Sequence, residues 1–386
     1  MSLVAPGEHL AVMAALFAIA GAAFLLERTR IGGHLTGAVI AILGAIAAAN
    51  LGLIPHAAPA YDFVFTYLVP VLIPLFLFQA DLRRLFRECA RMTLAFLVAA
   101  LGTVAGVTVA ALLLDLGSLG AAAGLAPAAR EPAVAGLFTS TYVGGSVNYA
   151  ALGEITGLNR DASFFSAATA ADNLFSAVYL GFLALAPGWR WLARRFPAHR
   201  ETGAAVAGVA PPVTAATLCL ALATSLVLVA GTDALVAVFA LDGWRYVLLS
   251  ALTLALATAV PGLHERLAGS FELGVALSFV FFAAIAAGAD VPAMLAVAPL
   301  LIALVLILLT LHALVTFSLG RLLGLTVPEL VTASNAAVLG ATTAPALAAT
   351  RGWHSLVTPG VLVGVLGYAL GTFLGTIVFR YWGAFL

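Results

Sequence analysis

The sequence predicts an all-α polytopic membrane protein made of two inverted repeats, each with five transmembrane helices plus one re-entrant hairpin or broken helix. Three observations lead there. Of 386 residues, 63% are hydrophobic and 9% charged, with mean hydropathy +1.13, whereas about a quarter of a soluble chain is charged. Apolar runs near the ~20 residues needed to span ~30 Å of hydrocarbon recur along the whole length. Two of those runs are rich in Gly, Ser, Thr and Asn, and they resemble each other.

The expected segments are 10–26, 35–50, 62–80, 92–114, 133–153, 162–186, 213–231, 245–263, 270–289, 297–319, 329–350 and 357–379. The first lacks a basic leader and a convincing cleavage site, so it is read as a retained helix. Ten of the twelve look like ordinary crossings. The fifth, in "TSTYVGGSVNYAALGEITG" (Thr139 to Gly157), and the eleventh, which carries Pro345, do not. Arginine placement discriminates between crossing and re-entry, because cytoplasmic loops hold the excess of basic residues. If all twelve cross, the 17 arginines split evenly between the two sides. If the fifth and eleventh re-enter, 13 fall on one side and only Arg130, Arg160, Arg245 and Arg380 on the other. Re-entry is therefore expected, with both termini outside the inner (cytoplasmic) membrane of a bacterium and the linker in the cytoplasm. Every basic side chain other than histidine is arginine, read as codon bias.

An offset of 195 pairs Thr139 with Ser334, Val143 with Val338, Gly145 with Gly340, Ala151 with Ala346, Leu152 with Leu347 and Gly157 with Gly352. Upstream, Asp81 pairs with Asp290; both are expected to be solvated or capping residues. Five crossings per half force the second half to be inverted, and interrupted helices at matching positions are a pointer to a secondary-transporter site. The expected organisation is a first repeat over 1–186 (scaffold 1–91, core 92–186 with hairpin 133–158), a cytoplasmic linker over 187–212, and a second repeat over 213–386 (scaffold 213–290, core 297–386 with hairpin 329–353).

Unwound backbone at membrane depth survives only when buried in protein or facing a wet cavity. Candidate substrate-binding residues are therefore Thr139, Ser140, Thr141, Gly144, Gly145, Ser146 and Asn148 in the first broken segment, and Asn335, Gly340, Thr342 and Thr343, with Ser334 beside them, in the second. Glycines permit the break and close backbone approach, and hydroxyl, amide and carbonyl oxygens suit a hard cation or a polar solute. The competing reading is tight packing by small residues.

Segment 162–186 places Thr169, Asp172, Ser176 and Tyr179 on one helix face, with Asn173 adjoining. A carboxylate at the bilayer centre costs about 2.5–3.5 kcal/mol on the insertion scale and needs a partner. Asp172, with Asn173, Thr169, Ser176 and Glu154, forms the candidate ion-coupling set. Na⁺ near Asp172, or a proton, is the candidate partner, against a structural hydrogen-bonded carboxylic acid. Glu154 fits a solvent-accessible mouth equally well. His312 fits a satisfied core histidine better than a relay. Gly360, Gly364, Gly367, Gly371 and Gly375 form one flat ridge on the last helix, suited to close packing.

Zero net charge gives no case for nucleic acid, and Cys89 and Cys219 match no metal or redox spacing. No zinc-protease motif and no nucleophile–base pair is found, so neither an enzyme nor a cofactor is expected. A homodimer is.

At "GGSVNYAALGE", "AADN" and "ASNAAVLGATTAPALAATRGWHSLVTPGVLVGVLGYALGTFLG" the chain resembles the YjcL-like family of bacterial membrane proteins, domain-of-unknown-function family 819. The resemblance covers nearly the whole length. Where that family has Gly-Gly followed by Pro in its second hairpin, this chain has Leu339, Gly340 and Ala341. More loosely, the architecture is similar to that of bile-acid/sodium symporters, glutamate/sodium symporters and 2-hydroxycarboxylate transporters, which implies an elevator-like core moving against a scaffold. In the bile-acid symporters the broken helix crosses. The expected activity is secondary transport of a small organic solute coupled to Na⁺ or H⁺, with a channel or uncoupled facilitator, and then a receptor or enzyme, as alternatives.

Overall fold

The computed structural model describes residues 2–29, 37–78, 89–199, 211–241, 244–289 and 291–384, apart from a few side chains that include that of Ser146. Asp81 and Asp290 lie outside the described residues. Within them the chain is helical, without strands. The helices are α1 His9–Glu27, α2 Gly37–Asn50, α3 Pro59–Leu77, α4 Ala90–Leu113, α5 Pro127–Thr156, α6 Ala162–Leu185, α7 Ala215–Phe239, α8 Arg245–Ala259, α9 Ser270–Ala287, α10 Val291–Leu322, α11 Val327–Val338, α12 Thr343–Thr350 and α13 Val357–Arg380. Eight of these are long and apolar enough to cross a membrane, and α2 and α8 are shorter apolar helices. Those ten are the ten expected crossings; α5 and the α11–α12 pair are the two odd segments.

Contacts sort the connections into two ends. At one end Leu3 N–H donates to Gly52 O (2.6 Å), Ala122 N–H to Asp161 Oδ2 (3.1 Å), and Trp382 Nε1–H to Glu131 (2.8 Å). The Arg380 guanidinium lies 4.5 Å over Trp244 at the same end. At the other end Arg91 pairs with Glu329 (2.7 Å) and donates to Gly324 O (3.1 Å), while His199 meets Thr326 (3.5 Å) and Ser355 (3.3 Å). The first end carries Arg130, Arg160, Arg245 and Arg380; the second carries Arg28, Arg91, Arg190, Arg194, Arg195, Arg266, Arg321 and Arg351. These are the same two groups that the loop count in the sequence separates.

α5 does not run straight. Gly145 sits at φ 69°, ψ −169°, and the chain doubles back there. Ser140 Oγ donates to Asn148 O at 3.3 Å, and Gly136 and Leu152 both pack on Gly375. In a continuous helix the 16 residues from 136 to 152 would span ~24 Å. The second odd segment does the same. Gly340 has φ 92°, Thr343 Oγ1 donates to Asn335 Oδ1 at 2.7 Å, and Thr332 and Ala344 both pack on Gly360. The reversals exclude the collinear crossing form of the broken helix. α5 is hereafter hairpin 1, and α11–α12 hairpin 2.

α3 carries Pro70 and Pro74. A proline ring clashes with the carbonyl four residues back and leaves it without a donor. The helix accommodates Pro70 with a wide turn over Val64–Leu68, closed by Val69 N–H donating to Val64 O.

Candidate functional site

The two reversals meet at one side chain on α13. A methyl group on Gly145 would touch Tyr368 Cε1 at 3.8 Å, and one on Gly340 would touch Tyr368 Oη at 3.1 Å. Tyr368 Oη accepts a hydrogen bond from Ala341 N–H (3.3 Å), satisfying a backbone donor freed by the break. On its other side Tyr368 packs against Phe76 of α3 (ring centroids 5.9 Å) and Phe271 of α9 (6.3 Å). Tips, Tyr368 and these rings form one apolar cluster with Leu72, Val365 and Ala369.

The glycine ridge of α13 is the bed on which both hairpins lie. Gly360 and Gly364 face Thr332, Ala344 and Ala341 of hairpin 2. Gly367, Gly371 and Gly375 face Val143, Asn148, Ser140 and Gly136 of hairpin 1. A Cβ on Gly371 would lie 2.7 Å from Asn148 Cγ and 2.9 Å from Ser140 O, so only hydrogen fits.

The expected binding residues divide by what they bond. Asn148 Nδ2–H donates to Gly144 O (2.7 Å) and its Oδ1 accepts from Thr372 Oγ1–H (2.6 Å), stapling hairpin 1 to itself and to α13. Ser140 and the Asn335–Thr343 pair bond across their hairpins' arms. These four close the hairpins through side-chain bonds, leaving Gly144, Gly145, Gly340 and the exposed Thr342 at the reversals. Thr139 and Thr141 are buried, and no protein group within hydrogen-bond distance meets their hydroxyls.

Hairpin 1 also reaches Asp172. Tyr142, three residues before the reversal, directs its hydroxyl toward the Asp172 carboxylate, and Ser176 Oγ–H donates to Asp172 Oδ1 at 3.4 Å. A turn away, Thr169 Oγ1 (2.9 Å) and Tyr149 Oη (2.7 Å) both donate to Phe165 O, and Asn173 Nδ2 donates to Thr169 O (2.9 Å). The Thr169–Ser176 part of the polar stripe on α6 therefore faces hairpin 1, while Tyr179, its last member, meets hairpin 2. Among the described residues no group of three His, Cys, Asp or Glu side chains could hold a transition metal. The oxygen-only surroundings of Asp172 suit a proton or a hard monovalent cation.

His312 is fully buried and bonded at both nitrogens: Nδ1 to Thr103 Oγ1 (2.9 Å) and Nε2 to Ser334 Oγ (2.9 Å). Thr103 reaches Tyr142 O (3.0 Å), and Ser334 meets Tyr179 Oη (2.8 Å). One neutral tautomer satisfies every link: Tyr179 donates to Ser334, Ser334 to Nε2, Nδ1–H to Thr103, and Thr103 to the Tyr142 carbonyl. This chain ties both hairpins to α4, α6 and α10.

Glu154 is nine residues from Gly145 along the second arm, ~13 Å away. Its Oε1 accepts from Asn159 Nδ2–H (2.6 Å) and it lines a cavity of about 720 Å³ with His56, Asp62, Phe65 and Arg160, between hairpin 1, α3 and α9. It thus sits at a mouth, not at the reversal. Sequence reasoning missed Tyr368, Tyr142, Phe76, Phe271 and Thr372, which read as ordinary residues of apolar runs.

The model of the family described as "Protein of unknown function (DUF819)" matches residues 14–382. The chain belongs to the DUF819 family. Among its relatives, the "Uncharacterized membrane protein YjcL" of Bacillus subtilis (strain 168) is 30% identical over 387 residues, covering 94% of this chain and 93% of that protein. With several apolar helices, this DUF819 member is a polytopic membrane protein.

Proposed function

We propose that this protein is a secondary active transporter that moves a small organic solute, coupled to Na⁺ or H⁺, by alternating access. The observation that carries the reading is the matched pair of reversals. The offset of 195 read from sequence superposes Gly145 on Gly340, both at positive φ. It also superposes the Ser140–Asn148 cross-arm bond on the Asn335–Thr343 bond. Hairpin 1 is based at the arginine-poor end and hairpin 2 at the arginine-rich end, as two repeats of opposite orientation require. Re-entrant tips meeting inside a membrane protein are the usual architecture of a transport site.

In this reading α4, α6, α10, α13 and the hairpins are the moving core, and α1–α3 with α7–α9 the scaffold, with a scaffold surface available for a second copy. Their contact at the tips is apolar and aromatic (Leu72, Phe76, Tyr368, Val365), a surface with few directional bonds to break during sliding. The substrate sits against Gly145, Gly340 and Tyr368. Asp172, beside Tyr142 and Ser176, takes the coupling ion, so that its charge state is linked to the position of hairpin 1. The arginine-rich end faces the cytoplasm, which puts both termini outside.

The test uses purified protein in proteoliposomes and a panel of labelled small acids, amines and amino acids under an imposed Na⁺ or proton gradient. At least one solute should accumulate, collapse with an ionophore, and fail to accumulate with Asp172→Asn, which should retain the wild-type elution profile and Tm. Normal, identically ion-dependent uptake by Asp172→Asn removes the coupling role. Unitary currents in place of coupled accumulation would make the protein a channel.

A further inference from the structure

At the arginine-rich end a second cavity of about 900 Å³ opens between the end of α6, the segment 189–196 and the end of α10. Its chemistry differs from that of the outer mouth. Arg195 and Arg321 line it, and among the described residues no carboxylate does. The Arg195 guanidinium lies 5.2 Å over the Trp191 ring, a stacking that uses its face and leaves its N–H edges free. Trp191 stacks in turn with Trp189 (6.3 Å, 17°). Tryptophans of this kind sit at headgroup level in membrane proteins.

The wall below is hydrocarbon. Leu314, Phe317 and Arg321 are spaced i, i+3 and i+7, so they share one face of α10. Leu314 is 57% exposed, while Phe317 is half-buried between Phe182 and Phe196 (ring centroids 6.3 Å in each case), so the open part of that face lies at Leu314. The order along the face runs from apolar at depth to guanidinium at the rim, ~10 Å apart. That is the order of chemistry along a phospholipid, from acyl chain to phosphate. A free phosphate would have no use for the wall.

We propose that this cavity binds an anionic glycerophospholipid, its phosphate held by Arg195 and Arg321 and one acyl chain lying along Leu314 and Phe317. Arginine forks match phosphate oxygens in bidentate fashion, and basic pockets between membrane helices on the cytoplasmic side are suited to anionic headgroups. The site does not depend on the transport reading.

The experiment is native mass spectrometry of the purified full-length protein in neutral detergent, titrated with phosphatidylglycerol, with phosphatidylcholine of the same acyl chains, or with inorganic phosphate. Wild type should retain phosphatidylglycerol in preference to both other probes. The double variant Arg195→Gln with Arg321→Gln should bind it roughly 30-fold more weakly, the equivalent of about 1 kcal/mol per arginine. The Lys/Lys double variant, which keeps the charge but loses the fork and the stack, should bind between wild type and the Gln/Gln protein, and Arg351→Gln, an exposed arginine at the same end, should keep all of the affinity. Equal retention of phosphatidylcholine by wild type overturns the proposal without recourse to any variant. So does undiminished binding by the Gln/Gln protein, or equal binding of phosphate alone.

Discussion

Replacing Gly145 by alanine tests the reversal by its sign. The backbone there, φ 69° and ψ −169°, lies in a region essentially reserved for glycine, and a side chain held in it costs about 1–3 kcal/mol. Crowding adds nothing, because the nearest atom to the new Cβ is Tyr368 Cε1 at 3.8 Å. In an unbroken helix the same change would be favourable by about 0.8–1.0 kcal/mol. The two structures thus differ by about 2–4 kcal/mol and in direction. Gly144 supplies the contrast: its Cβ would meet Asn148 Nδ2 and Gly367 O, so alanine there is opposed by packing. Thermal unfolding in detergent, or reversible unfolding in SDS, should show Gly145→Ala less stable than wild type, and Asn148→Ala should not rescue it. A higher Tm for Gly145→Ala would refute the hairpin.

Other outcomes follow from the same contacts. Ser334→Ala strands His312 Nε2 and Tyr179 Oη; at typical membrane values of about 0.6–1.7 kcal/mol per bond, it should cost about 1–3 kcal/mol in the SDS assay. Gly371→Val should destabilise by overpacking, about 1–3 kcal/mol or more, whereas Gly231→Ala, with nothing within 4 Å of the new Cβ, should stabilise by up to about 1 kcal/mol. The Arg91–Glu329 pair should be asymmetric. Glu329, 8% exposed, also accepts from Thr326 N–H and Oγ1–H at the start of α11, so Glu329→Ala should cost about 1–2 kcal/mol through the lost cap. Arg91, 59% exposed, should cost less than about 1 kcal/mol when truncated; chemical denaturation of the two single variants compares them.

The ten apolar helices and the two interruptions were legible because each rests on a local signal: a long apolar run, or Gly and Asn where such a run should be unbroken. The division of the described arginines between two ends of the molecule was legible from the loop count alone. The α13 ridge could be read as a packing surface, but its division between hairpins could not, since Gly364 and Gly367 look alike until Ala341 and Val143 are placed. The candidate site was legible as a region more than as a set of residues. Asn148 and Asn335 attract notice as amides in hydrocarbon, yet their bonds close the hairpins. Tyr368 and Tyr142 escape notice because one hydroxyl in an apolar run carries no pattern; their positions depend on contacts more than 25 residues apart in the chain, from Tyr368 to Ala341 and from Tyr142 to Asp172.

Because α13 beds both hairpins, its distance along the chain from hairpin 1 has a bearing on biogenesis. Some 224 residues separate Thr156 from Arg380, which at roughly 5–20 residues per second is roughly 10–45 s of synthesis. Through that interval the Asn148 side-chain Oδ1 has no Thr372 hydroxyl to accept from, and Gly136 and Ser140 have no glycine face to lie on. Hairpin 1 therefore cannot complete its packing in the order in which it is made. A nascent chain stalled before residue 357 should remain open to proteases at the arm that the finished protein conceals.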